Sequence, residues 1–136
     1  TKVLIMSDEI NVPISPGELV DKITILEIKK EFIKDDSKLK NINHEYDLLM
    51  QIYSEQISKT KGVTELKNKL KEINLELWKI EDDIRDCERK KSFTDIFIEL
   101  ARSVYFTNDK RSKVKLEINL LMNSNLVEEK SYKDYS

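Results

Sequence analysis

Residues 63–136 contain neither glycine nor proline. A stretch that long without a breaker constrains the chain to long helices, because glycine and proline cost a helix interior about 1 and 3 kcal/mol respectively. The apolar residues within it keep helical time. Val63, Leu66, Leu70, Ile73, Leu77, Ile80, Ile84 and Cys87 step alternately by three and four, the spacing of a heptad seam. A second run, Phe97, Leu100 and Val104, then Val114, Ile118 and Leu121, keeps the same rhythm but skips two beats, at Thr107 and Arg111. A guanidinium where a helix wants leucine is costly unless an anion meets it. The two runs predict helices over 63–91 and 93–122, each close to 40 Å long at ~1.5 Å per residue. Their short link predicts antiparallel neighbours.

The first half of the chain shows its helix starts. Ser15-Pro16-Gly17-Glu18 places an N-cap serine, a proline at the first helical position and a glutamate three residues on, a capping box that opens a helix over 15–34. Asp35-Asp36-Ser37 offers a turn and a new cap for a helix over 37–59, with Leu39, Ile42, Tyr46, Leu49, Tyr53 and Ile57 on one face and Gly62 as its C-terminal cap. Ser92-Phe93-Thr94-Asp95 is a second capping-box-like turn. Thr107-Asn108-Asp109 could divide the last helix, but the seam keeps its phase across them, which favours one continuous element. Residues 1–14 read as a short extended segment. Val3-Leu4-Ile5-Met6 and the alternating Ile10, Val12 and Ile14 flank a turn, and Pro13 confines the second piece to an edge. The tail, 123–136, is polar with apolar Leu126, Val127, Tyr132 and Tyr135 able to dock. The expectation is a single all-α domain over 1–136, an antiparallel helical bundle built on a long helical hairpin. That hairpin outreaches the two shorter helices, which predicts a homodimer.

Composition narrows the function classes. With 24 basic and 26 acidic residues the net charge is −2, and interspersed lysine and glutamate describe solvated helix faces rather than a nucleic-acid stripe. No apolar run approaches the roughly 18 residues of a membrane span. The opening residues are too short and soon too acidic for a signal peptide, so a cytoplasmic location is expected. One cysteine and one histidine, Cys87 and His44, exclude an internal disulfide, a cysteine-cluster metal site and a histidine-pair site. Both read as structural, and no cofactor is expected. Any chemistry falls to carboxylates, lysines, arginines or tyrosines.

Such groups converge when the two long helices are laid side by side. Trp78, Glu81, Arg85 and Glu88 form one stripe; Arg102, Phe106 and Asp109 form another, with Tyr105 between it and the seam. Arginines hold carboxylates and phosphates bidentately, and aromatic faces stack on bases or sugars. One reading is therefore a pocket for an anionic small molecule such as a nucleotide or sugar phosphate. Arg85, Arg102 and Arg111 would hold charge, Trp78 and Tyr105 would stack, and Glu18 or Asp109 would serve as general base. Lys22, one turn into the first helix, adds a possible anion site at that helix's N-terminus beside Gly17. The other reading is a non-catalytic helical adaptor whose arginines are ion pairs. Arg85 would then meet Glu81 or Glu88, Arg102 would meet Asp82 or Asp109, and Arg111 would meet Glu117, Glu128, Glu129 or a dimer partner. The acidic patch of Glu81, Asp82, Asp83, Asp86 and Glu88 lacks the paired Glu-x-x-Glu and Glu-x-x-Asp on two helices by which all-α nucleotide pyrophosphohydrolases bind Mg²⁺, so no metal site is expected.

Four segments taken together carry a family resemblance. They are Ser15-Pro16-Gly17-Glu18-Leu19-Val20-Asp21-Lys22 with Thr24-Ile25-Leu26-Glu27; Leu77-Trp78-Lys79-Ile80-Glu81-Asp82-Asp83-Ile84-Arg85; Leu100-Ala101-Arg102-Ser103-Val104-Tyr105 with Asn108-Asp109; and Val127-Glu128-Glu129-Lys130-Ser131-Tyr132. The chain resembles, over residues 12–135, a short domain family of unknown function found in bacteria and phages. That resemblance implies no activity and assigns no catalytic role.

Overall fold

A computed structural model describes residues 9–135, which form four helices and, among the described residues, no strand: α1 (Pro16–Phe32), α2 (Asp36–Gln56), α3 (Val63–Arg89) and α4 (Asp95–Leu121). The local signals act where the sequence puts them. The Ser15 hydroxyl accepts the Glu18 N–H at 3.2 Å and Pro16 opens α1. Asp35 caps α2 by accepting the Lys38 N–H at 3.0 Å. The last helix is unbroken through Thr107-Asn108-Asp109.

Three expectations change. The stretch Ile10–Ile14 is not a strand: Ile10 and Val12 are 89 % and 64 % exposed, and no neighbouring strand offers them a ladder. Val3-Leu4-Ile5-Met6 lies outside the described residues. Helix α2 stops at Gln56, earlier than Gly62 suggested, because the Ile57 and Ser58 N–H groups both turn back to the Tyr53 carbonyl. Gly62, at φ +92°, instead supplies the left-handed residue that leads the chain into α3.

The core is organised around α1, which packs against each of the other three helices. Two apolar stripes on one helix make this possible, since each can face a different neighbour. Leu19, Val20 and Ile23 join Tyr53 and Ile57 of the α2 end, Val63, Leu70 and Ile73 of α3, and Val114 and Ile118 of α4 in one buried cluster. Its N-terminus approaches α4 closely. The Gly17 N–H donates to Asn119 Oδ1 at 2.7 Å, and a Cβ on Gly17 would stand 2.4 Å from the Lys115 carbonyl oxygen. Glycine is thus required by close approach.

Burial is uneven along the two long helices. Between Glu81 and Phe106 no residue is buried, so the seam beyond Ile80 is only half covered. A second polar centre ties α1 to α2 and α3. Glu27 accepts from Lys67 and from the Tyr46 hydroxyl, both at 3.0 Å, and pairs with Lys71 at 3.3 Å. Burial pushes the Glu27 carboxyl up, but its lysine and tyrosine partners together hold it below the ordinary 4.5. Burial, reinforced by that carboxylate, pushes Tyr46 up to about 12.

Two measurements test this packing. Gly17→Ala forces α1 away from α4 and should lower unfolding stability in urea by about 2 kcal/mol. Glu27, with its value depressed on folding, contributes stability above pH 4.5 that is lost as pH falls through its folded value. Tyr46, with its value raised, contributes stability below pH 10 that is lost as pH rises toward 12. Glu27→Gln should flatten the acid limb of the stability–pH curve and only lessen the alkaline one, where the burial of Tyr46 remains.

Candidate functional site

Arg111, the break in the α4 seam, meets a carboxylate that lies on α1. Its Nε donates to Asp21 Oδ1 at 2.9 Å and its Nη2 to Asp21 Oδ2, a bidentate pair across two helices. Asp21 is 1 % exposed and Arg111 27 %. The third helix joins the same group: Asn74 of α3 donates from Nδ2 to Asp21 Oδ1 and to Thr24 Oγ1, each at 2.9 Å. Thr24 in turn donates to the Asp21 carbonyl at 2.8 Å, and Arg111 Nη1 donates to Asn108 Oδ1 at 3.2 Å. The Asp21 hydrogen bonds outweigh the cost of burial and hold the Arg111 guanidinium above its ordinary value. The second missing beat, Thr107, is buried against α3, its hydroxyl 3.5 Å from Glu76 Oε1.

Asn74, Asn108 and Arg111 of this network line an open cleft of about 630 Å³ between α1, α3 and α4. Ile25, Ile28, Leu77, Trp78 and Val104 supply its apolar wall. Asn74, Asn108, Glu81, Asp82, Arg85 and Arg111 supply its polar groups. Trp78 is propped from outside by Phe32, ring centroids 5.8 Å apart and nearly parallel.

The candidate residues therefore separate. Trp78, Arg85 and Arg111 line the cleft; Arg102, Tyr105, Asp109, Glu18 and Lys22 do not. Arg85 pairs with Glu81 along its own helix, and Arg102 pairs with Glu99 at 3.4 Å rather than with Asp82 or Asp109. Arg102, Tyr105 and Asp109 belong to a different patch, where the C-terminal tail lies on α4. Glu18 accepts from Lys115 at 2.8 Å. The N-terminus of α1 is not an open anion site, since its first N–H groups serve Asn119, Ser15 Oγ and the Ser15 carbonyl. Lys22 is exposed and lines a separate groove of about 510 Å³ between residues 10–16, α1 and α2.

Asp21 was the residue missed from the sequence. Its signal was present: Gly17, Asp21, Thr24 and Ile28 share one helical face, and all four are buried. A carboxylate and a hydroxyl on that face require donors from neighbouring helices. Among the described residues, no group of three or more histidine, cysteine, aspartate or glutamate side chains is placed to hold a metal ion.

A family model described as a family of unknown function (DUF6165) matches residues 10–135, and the chain belongs to that family. No curated protein and no solved structure matches it.

The Asp21–Arg111 contact is testable by stability. Arg111→Met leaves a buried carboxylate with Asn74 as its remaining side-chain donor, and should cost about 2–3 kcal/mol in chemical denaturation, below the full buried-pair value because Arg111 is partly exposed. Asp21→Asn combined with Arg111→Met should recover at least half of that loss. Simple additivity of the two single changes would show that the pair is not coupled.

Proposed function

We propose that the protein is a non-catalytic binding protein whose cleft takes a small molecule with one anionic group on a flat apolar body. One observation carries this reading. Asp21 holds Nε and Nη2 of Arg111 and Asn108 holds Nη1, so the guanidinium is fixed in place, and Arg111 lines the same cleft as Trp78 and Arg85. The volume and the apolar wall suit a ligand of nucleoside size. Arg85 is available as a second contact because its exposed pair with Glu81 is worth less than about 1 kcal/mol and exchanges readily. Glu81 and Asp82 limit the charge the cleft accepts, which favours a single phosphate or carboxylate over a polyphosphate. Glu18 and Asp109 hold ion-pair or tail contacts outside the cleft and have no part in the reading.

The reading treats α3 and α4 as an antiparallel hairpin within one helical domain, supported by the Glu76–Thr107 contact and by the meeting of Asn74 and Arg111 at one carboxylate. Its rival is the adaptor, favoured by the pairing of all four arginines, Arg85, Arg89, Arg102 and Arg111, with internal acids and by exposed Phe93, Ile96 and Ile98 near the α3–α4 link. A homodimer in the cytoplasm is compatible with either.

Thermal shift with adenosine monophosphate, ribose 5-phosphate and inorganic phosphate separates the two. Saturation at ~100 Kd stabilises by about 2.7 kcal/mol. The adenosine compound should give the largest shift, and Arg85→Gln or Trp78→Leu should remove it while the unliganded protein stays folded. No shift with any of the three favours the adaptor.

A further inference from the structure

The second patch, apart from the cleft, is where the tail returns to α4. Beyond Leu121 the chain turns at Asn123, φ +57°, and through residue 135 forms no helix or strand. Charge and ring contacts both hold it to α4. Glu128 stands 3.9 Å from Lys115, which also serves Glu18, and is paired with Lys130 at 3.0 Å. Seven residues on, the Tyr135 ring sits edge-on to both Tyr105 and Phe106, centroids 5.4 and 5.1 Å apart, and its hydroxyl donates to Asp109 Oδ2. Arg102 lies 5.7 Å from the centre of the Phe106 ring.

The three α4 positions form a compact receptor. Residues 105, 106 and 109 are neighbours on one helix face, two supplying aromatic surface and the third an acceptor where a phenol hydroxyl ends. An aliphatic side chain would leave that acceptor unused, and phenylalanine would fill the rings but not reach it with a donor. The seat is also incompletely covered: with Tyr135 in place Tyr105 and Phe106 remain 44 % and 40 % exposed, and Tyr135 is 54 % exposed. A shallow attachment of an irregular tail opens easily, because the residues that make it stay exposed.

We propose that Tyr105, Phe106 and Asp109 form a docking seat for a tyrosine carried on an extended segment, occupied in the free chain by its own Tyr135 and taken in exchange by a partner segment of the same chemistry. The partner carries a tyrosine and, seven residues ahead of it, a carboxylate for Lys115, as the tail does with Tyr135 and Glu128. The tether gives the native tail an effective concentration in the millimolar range, so a partner must compete with it and the surface is self-blocked until it does.

The test uses the chain of residues 1–136 and a fluorescein-labelled peptide of residues 126–136. Fluorescence anisotropy should show at least tenfold tighter binding to the Tyr135→Ala protein than to the wild type, because the variant has vacated the seat. Asp109→Asn placed in that variant should weaken the peptide several-fold, as should a peptide with phenylalanine in place of its second tyrosine. These α4 and tail side chains are exposed, so circular dichroism should be unchanged throughout. Equal affinity for wild type and Tyr135→Ala, or no binding to either, would overturn the proposal.

Discussion

A carboxylate buried at 1 % exposure in the middle of α1 sets the arrangement of three helices. Asp21 cannot be left alone there, since an unpaired buried charge costs several kcal/mol. Its donors come from α3 and α4 at once, Asn74 from one and Arg111 from the other. An arginine fork accepts only a narrow range of positions for its carboxylate, so sliding α1 by one turn along α4 would break both bonds. Apolar packing alone would tolerate such a slip, because Leu19, Ile23 and Leu26 repeat at similar spacing. The polar contact therefore contributes register more than net stability, and the apolar cluster around it contributes the free energy.

The same contact shapes the cleft. A guanidinium held by Asp21 at two nitrogens and by Asn108 at the third keeps little freedom of its own where it lines the cleft. Trp78 stacks on Phe32 of α1. Arg85 and Arg102 differ in kind: both are exposed and paired within their own helices, and nothing in the fold depends on them. Three arginines that look alike in the sequence thus divide into one that organises the fold and two that are free to exchange partners.

Much of the architecture was legible because it rests on local chemistry. Ser15 and Asp35 cap where they stand, and the 3-4 spacing marks α3 and α4 whatever they pack against. The missing beats at Thr107 and Arg111 correctly marked polar business in the core. The partner was not legible, because Asp21 lies 90 residues away and its own helix has apolar stripes that draw attention elsewhere. Glu117, Glu128 and Glu129 were nearer in sequence, but proximity along a chain does not place a carboxylate on the facing side of another helix. The band of aromatic and charged residues expected on α3 and α4 divides for a related reason: Trp78 and Arg85 line the cleft beside α1, while Tyr105 and Asp109 meet a tail whose docking leaves no periodic trace.

The uneven burial gives these divisions a physical meaning. Helix α1 spans 17 residues, about 25 Å at ~1.5 Å per residue, against 27 residues in each of α3 and α4. Where α1 lies, two long helices gain a third face to bury against, and every buried position of α3 and α4 falls there, at Ile80 or earlier and at Thr107 or later. Beyond it the pair has only its own seam, and Ile84, Cys87, Phe97 and Leu100 stay half-buried. The cleft and the tyrosine seat both lie along this boundary: Asn108 and Arg111 line the one and Asp109 closes the other, beside Val104, Tyr105 and Phe106 from the less buried stretch of α4.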